Sequence, residues 1–120
     1  MGLILADTNI VIYAIKGISA VEPYLDHDLA LSDISVIELL GVKNIEKNSL
    51  LVRKKFIENF ICYPVNYSIR QTAIELKQQY ILKIPDAIIA ATAICFDIPF
   101  ITADKDFKKI KELEAVILSV

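Results

Sequence analysis

Residues Leu3–Asn9 read LILADTN, and IVIYAIKG continues without a break to Gly17. The opening apolar run has no polar alternation, which suits a strand covered on both faces, as in a parallel sheet. The next eight or nine residues have helix length, and Gly17 suits the position just past a helix end. Between the two segments stands Asp7. A buried strand gains nothing by ending on a carboxylate, so Asp7 either caps the helix that follows or is the first ligand of a metal site.

The same alternation runs along the whole chain. Strands are expected over residues 3–6, 29–31, 60–65, 100–102 and 116–118. Helices are expected over 8–16, 35–42, 50–59, 68–80, 86–96 and 107–113. A further short helix is expected from a capping box of Ser19 and Glu22, with Pro23 tolerated near its start. Short apolar strands alternating with helices imply an α/β domain of three layers with right-handed crossovers. No repeat, low-complexity tract or linker divides the 120 residues, so 1–120 reads as one domain.

Composition narrows the class. The chain is 55% hydrophobic with mean hydropathy +0.51, apolar for a domain this small. Surplus apolar surface is best hidden in an interface, so a homodimer or a tightly held partner is expected. A net charge of -2 excludes a generally basic coat, and nucleic-acid binding would need a local patch. Cys62 and Cys95 lie in apolar surroundings without CxxC spacing and read as buried thiols. The longest apolar stretch is too short to span a bilayer, and no signal-peptide pattern opens the chain, so a cytoplasmic protein is expected.

Three more carboxylates repeat the setting of Asp7 at strand-to-helix junctions. Glu38 lies just inside the helix after the second strand. Asp86 opens the helix IPDAIIAATA, and Asp104 follows the strand FIT. Each has a local explanation: Asp7, Asp86 and Asp104 as helix caps, Glu38 in a capping box with Ser35. Yet strand ends share one edge of an open parallel sheet, where ligands bind. Carboxylates about 5 Å apart there repel by roughly 3 kcal/mol per pair at an effective dielectric near 20. If they converge, they require protons or a cation, and hard oxygen donors with no His or Cys beside them select Mg²⁺ or Mn²⁺.

These segments resemble a PIN domain, in particular the small VapC-type toxins of toxin–antitoxin pairs. LADTNIVIYAIKG (residues 5–17) is similar to the family's first motif, and LSDISVIELLGV (31–42) to its second. KIPDAIIAATAICFDIPFITADKDF (83–107) is similar to the third and fourth, in order. The resemblance implies a parallel five-stranded sheet of order 3-2-1-4-5, which would set Asp7 beside Asp104. It implies a metal-dependent ribonuclease with Asp7, Glu38, Asp86 and Asp104 as catalytic, metal-holding acids. Asp106 matches a supporting acid; Asn9, Ser32 and Thr102 match positions that orient ligands or water. The implied partners are RNA, cut to 5′-phosphate and 3′-hydroxyl ends, and an antitoxin protein. Apolar helices near the N-terminus and around SLLVRKKF (49–56) are candidate surfaces for it or for a second subunit.

Other residues carry less. His27 reads as a solvated turn residue, with Asp26 and Asp28 ending the short second helix. Lys83 could meet substrate phosphate, whereas Arg53, Lys54 and Lys55 read as a solvated helix face. The five tyrosines do not interleave with basic residues and are expected in the core or at an interface. Rival folds fit poorly. A phosphotransfer receiver lacks its acidic pair, and a dehalogenase-like phosphatase lacks Asp-x-Asp, since Asn9 holds the second place. The serious alternative is a PIN-like module that binds RNA or protein without cleaving.

Overall fold

The computed structural model describes residues 2–120. Five strands form one parallel sheet: β1 (Leu3–Ala6), β2 (Asp28–Ser32), β3 (Ile61–Tyr63), β4 (Phe100–Thr102) and β5 (Ala115–Ile117). Their order is β3-β2-β1-β4-β5, as the resemblance implied. The helices are α1 (Thr8–Ile15), α2 (Asp33–Leu40), α3 (Lys47–Ile57), α4 (Tyr67–Gln79) and α5 (Ile84–Phe96).

The uniformly apolar strands follow from two cores, one on each face of the sheet. Leu5, Ala30 and Phe100 point to the face covered by α4 and α5. Their neighbours Ile4, Ala6, Leu31 and Ile101 point the other way, towards α1 and α3. Adjacent strand residues alternate faces, so a strand buried on both sides needs apolar side chains at every position. Helix α5 buries Ala87, Ala90, Ala91 and Ala93 along with Ile89. These small side chains let it lie close to both the sheet and α4.

Several expectations are corrected. The short second helix is only a 3₁₀ turn, Glu22–Tyr24, with no side-chain cap from Ser19; Pro23 lacks the N–H that a longer helix would use. The last helix is likewise a 3₁₀ segment, Lys105–Lys109. Phe107, Ile110 and Leu113 are buried, but the backbone turns extended at Ile110, which ends the segment. Helix α2 starts earlier than expected: Ser32 caps it, accepting from the Ile34 N–H at 3.2 Å.

Both cysteines are exposed, against expectation. Cys62 sits on β3, an edge strand whose outer flank nothing covers. Cys95 lies on the outer side of α5, 3.3 Å from the Thr72 hydroxyl. His27 is half-buried, not solvated. Its ring stacks on Tyr24 at 6.0 Å, and its Nδ1 is buried without a hydrogen-bond partner.

Candidate active site

Strand β1 delivers Asp7 to the carboxyl edge of the sheet, where its backbone N–H still donates to Ile101 O at 2.9 Å. The side chain is 9% exposed, and both of its oxygens are engaged. The Thr8 N–H donates to Oδ1 at 2.8 Å, and the Thr102 hydroxyl donates to Oδ2 at 2.6 Å. Asp7 therefore caps α1 while also lining the hollow at this edge. Thr102 also accepts from the Asp104 N–H at 3.0 Å. One hydroxyl thus joins the ends of the neighbouring strands β1 and β4.

Asp104 caps the 3₁₀ segment, its Oδ1 accepting from the Asp106 N–H at 2.9 Å. Glu38 comes from the second turn of α2, and the Thr8 hydroxyl meets its Oε1 at 2.6 Å. Ser35 forms no capping box with it; the Ser35 hydroxyl is buried and bonded to Thr8 at 2.8 Å. Asp86 departs from the expected setting in another way. It follows a helix, not a strand, and lies inside the first turn of α5, whose cap position is Lys83. The connection before it is pinned from two sides. Lys77 donates to Leu82 O at 2.7 Å, and Lys109 to Ile81 O at 2.6 Å.

Asp7, Glu38, Asp86 and Asp104 line one hollow of about 330 Å³, joined there by Thr8, Asn9 and Tyr13. The four acids named from sequence therefore do converge. Asp106 does not line it; with Lys83, Asp86 and Asp104 it borders an adjoining hollow. Ser32 does not line it; its hydroxyl caps α2. Arg53 is spent elsewhere, donating to Leu39 O at 2.7 Å near the end of α2.

Burial and mutual repulsion are visible in the acids. Burial pushes the Asp7 carboxyl above the usual aspartate value; its two hydrogen bonds pull the other way, and Asp86 and Asp104 add to the rise. Asp86 is also raised, first by burial and then by Asp104 and Glu38, with Lys83 opposing. A cation in the hollow would relieve both. The donor set is all oxygen, which fits Mg²⁺ or Mn²⁺. Among the described residues no three His, Cys, Asp or Glu side chains form a compact ligand cluster.

The PIN domain family model matches residues 4–113. The chain belongs to the PIN domain family. PIN domains are generally nucleases. Among solved structures, this PIN domain is similar to a toxin–antitoxin complex from Klebsiella pneumoniae, with 31% identity, TM-score 0.79, and 93% of this chain and 94% of that one covered. It is also similar to VapBC-1 from nontypeable Haemophilus influenzae, at 25% identity and TM-score 0.77 over 98% of both chains. VapBC2 from Rickettsia felis, bound to a promoter DNA fragment, shares the fold at 24% identity and TM-score 0.82, covering 98% and 99%. No curated protein sequence matches the chain.

Sequence reading missed Thr8, Ser35 and Tyr13. Tyr13 was expected in the core or at an interface, yet it borders the acids. The available signal was its place four residues after Asn9 on α1, which puts both on one helix face.

Proposed function

We propose that this PIN domain is a Mg²⁺- or Mn²⁺-dependent endoribonuclease and the toxin of a toxin–antitoxin pair. The observation that carries the reading is the meeting of Asp7, Glu38, Asp86 and Asp104, from separate chain segments, in one hollow at the sheet's carboxyl edge. Asp7, Asp86 and Asp104 would hold the ion, directly or through water. When bound, it supplies charge neutralisation for the phosphate and lowers the pKa of a water.

The chain's own residues do the rest. Glu38 orients the attacking water and takes its proton. The water oxygen bonds to phosphorus, the P–O3′ bond breaks, and the products carry 5′-phosphate and 3′-hydroxyl ends. No nucleophilic side chain is required. Asn9 can donate to a phosphate oxygen, and Tyr13 offers an aromatic face to a base beside the acids. Lys83, in the adjoining hollow, supplies nearby positive charge.

The structural relatives include toxin–antitoxin complexes, which supports an antitoxin partner here. A second hollow of about 310 Å³ lies between α1 and α3, bordered by Ile12, Ile15 and Val52. It suits the apolar face of a partner helix. Ile37, Ile81 and Ile84 are also exposed, by 65%, 92% and 62%. Apolar surface of this kind supports a homodimer. No helix is long and apolar enough to cross a membrane among the described residues, in keeping with a cytoplasmic toxin.

Incubating the purified protein with end-labelled RNA and Mg²⁺ or Mn²⁺ tests the reading. Cleavage that stops on chelation, and in Asp7→Asn while RNA binding persists, is the expected result. Metal-independent RNA binding with no cleavage would replace it with a binding module.

A further inference from the structure

Glu38 is an exposed side chain on α2, and an exposed glutamate samples many rotamers unless a partner holds it. The partner is Thr8, 30 residues away in the chain: Oγ1 lies 2.6 Å from Glu38 Oε1 and 2.8 Å from Ser35 Oγ. A hydroxyl carries one proton, and an ionised carboxylate only accepts. The Thr8 proton goes to Glu38, the shorter and charge-assisted of the two contacts. Ser35, fully buried, lies against the same hydroxyl from the core side. The backbone of Thr8 meanwhile donates to Asp7 Oδ1 at 2.8 Å. One residue thus grips two site acids, Asp7 by its N–H and Glu38 by its hydroxyl.

We infer that Thr8 is a positioning residue that sets Glu38 relative to Asp7. This rests on the reading of the hollow as a divalent-metal nuclease site. One Glu38 oxygen is committed to Thr8, which leaves the other for the hollow. Without the hydroxyl, Glu38 would turn towards solvent, and the site would lose an acid that is still present in the sequence.

Thr8→Val keeps the shape and the backbone N–H but removes the proton; Thr8→Ser keeps the donor. Isothermal titration with Mn²⁺ alone gives a readout independent of cleavage. Thr8→Val should weaken Mn²⁺ binding on the order of tenfold, the usual scale for a hydrogen bond to a charged group. The loss should match that of Glu38→Gln, and the double variant should bind no more weakly than Glu38→Gln alone. With labelled RNA, kcat should fall while KM changes little, and Thr8→Ser should restore both binding and kcat.

Wild-type Mn²⁺ affinity in Thr8→Val, additive losses in the double variant, or failure of Thr8→Ser to restore would each overturn the inference. If Thr8→Val loses its cooperative melt, Thr8→Ala carries the same titration. If the binding pattern appears but wild-type protein cuts no RNA, the positioning role stands and the nuclease reading falls.

Discussion

Helix α1 borders two hollows of nearly equal size, about 330 and 310 Å³. On one side Asn9 and Tyr13, four residues apart, face the acids at the sheet's carboxyl edge. On the other side Ile12, Ile15 and Lys16 face α3 across an apolar gap. Volume does not distinguish the two; lining does. The first hollow gathers helix starts, where backbone N–H groups hold carboxylates in place. The second lies along helix flanks, where Ile12, Ile15 and Val52 supply an apolar floor and Lys16 and Arg53 a charged border. One eight-residue helix can serve both because its period sends every third or fourth residue to the same face. The proposed function puts chemistry in the first hollow and partner binding in the second.

That division can be broken most sharply at Asp7. Asp7→Asn should lower metal-dependent RNA cleavage at least about 100-fold, the scale expected when a charge holding the reacting phosphate's environment is lost. Gel assays against wild type check it, with partner binding at the α1–α3 hollow unchanged. The converse variant is Val52→Glu, at a 49% exposed position. It should weaken binding of the antitoxin partner by tens of fold, since a charged side chain would replace an apolar contact in the hollow. Cleavage by the isolated variant should match wild type. Activity lost along with partner binding would show that the two hollows are not independent.

Tyr13 sharpens the comparison on the acid side. Tyr13→Ala should raise KM for RNA by about tenfold with kcat little altered, the effect of losing one base-stacking surface. A smaller effect lies in stability. The Asp86 carboxyl is raised above its ordinary 3.8, so its contribution to folding is fullest below that value and fades as pH rises through the raised one. Metal-free Asp86→Asn should therefore gain in melting temperature over wild type as pH goes from 3.5 to 7.5. Saturating Mn²⁺ should reverse the order, because the ion binds wild type better. Melting curves at the two pH values, with and without Mn²⁺, read both signs.

Particular residues show how far the sequence could be read. Asp7 and Asp104 were legible because each ends an apolar strand, and the carboxyl ends of parallel strands share an edge. Asp86 was legible by its motif, though its setting was not, since the apolar run before it belongs to a helix connection. Cys62 was misread: apolar neighbours along the chain say nothing about whether a strand lies at the centre or the edge of a sheet. The final segment was read as an α-helix because Phe107, Ile110 and Leu113 are spaced to share a helix face, but the chain turns extended at Ile110. Thr8 was passed over because its hydroxyl's partner is remote in sequence.

Apolar runs, helix ends and acids at element starts are local features. Backbone hydrogen bonding and hydrophobic burial act over a few residues, so the chain alone dictated a doubly covered parallel sheet and its candidate acids. The hydroxyl links from Thr8 and Thr102, the shared hollow and the exposure of β3 depend on which strands become neighbours and in what register. Those are long-range outcomes of closing the crossovers, and only the folded structure decided them.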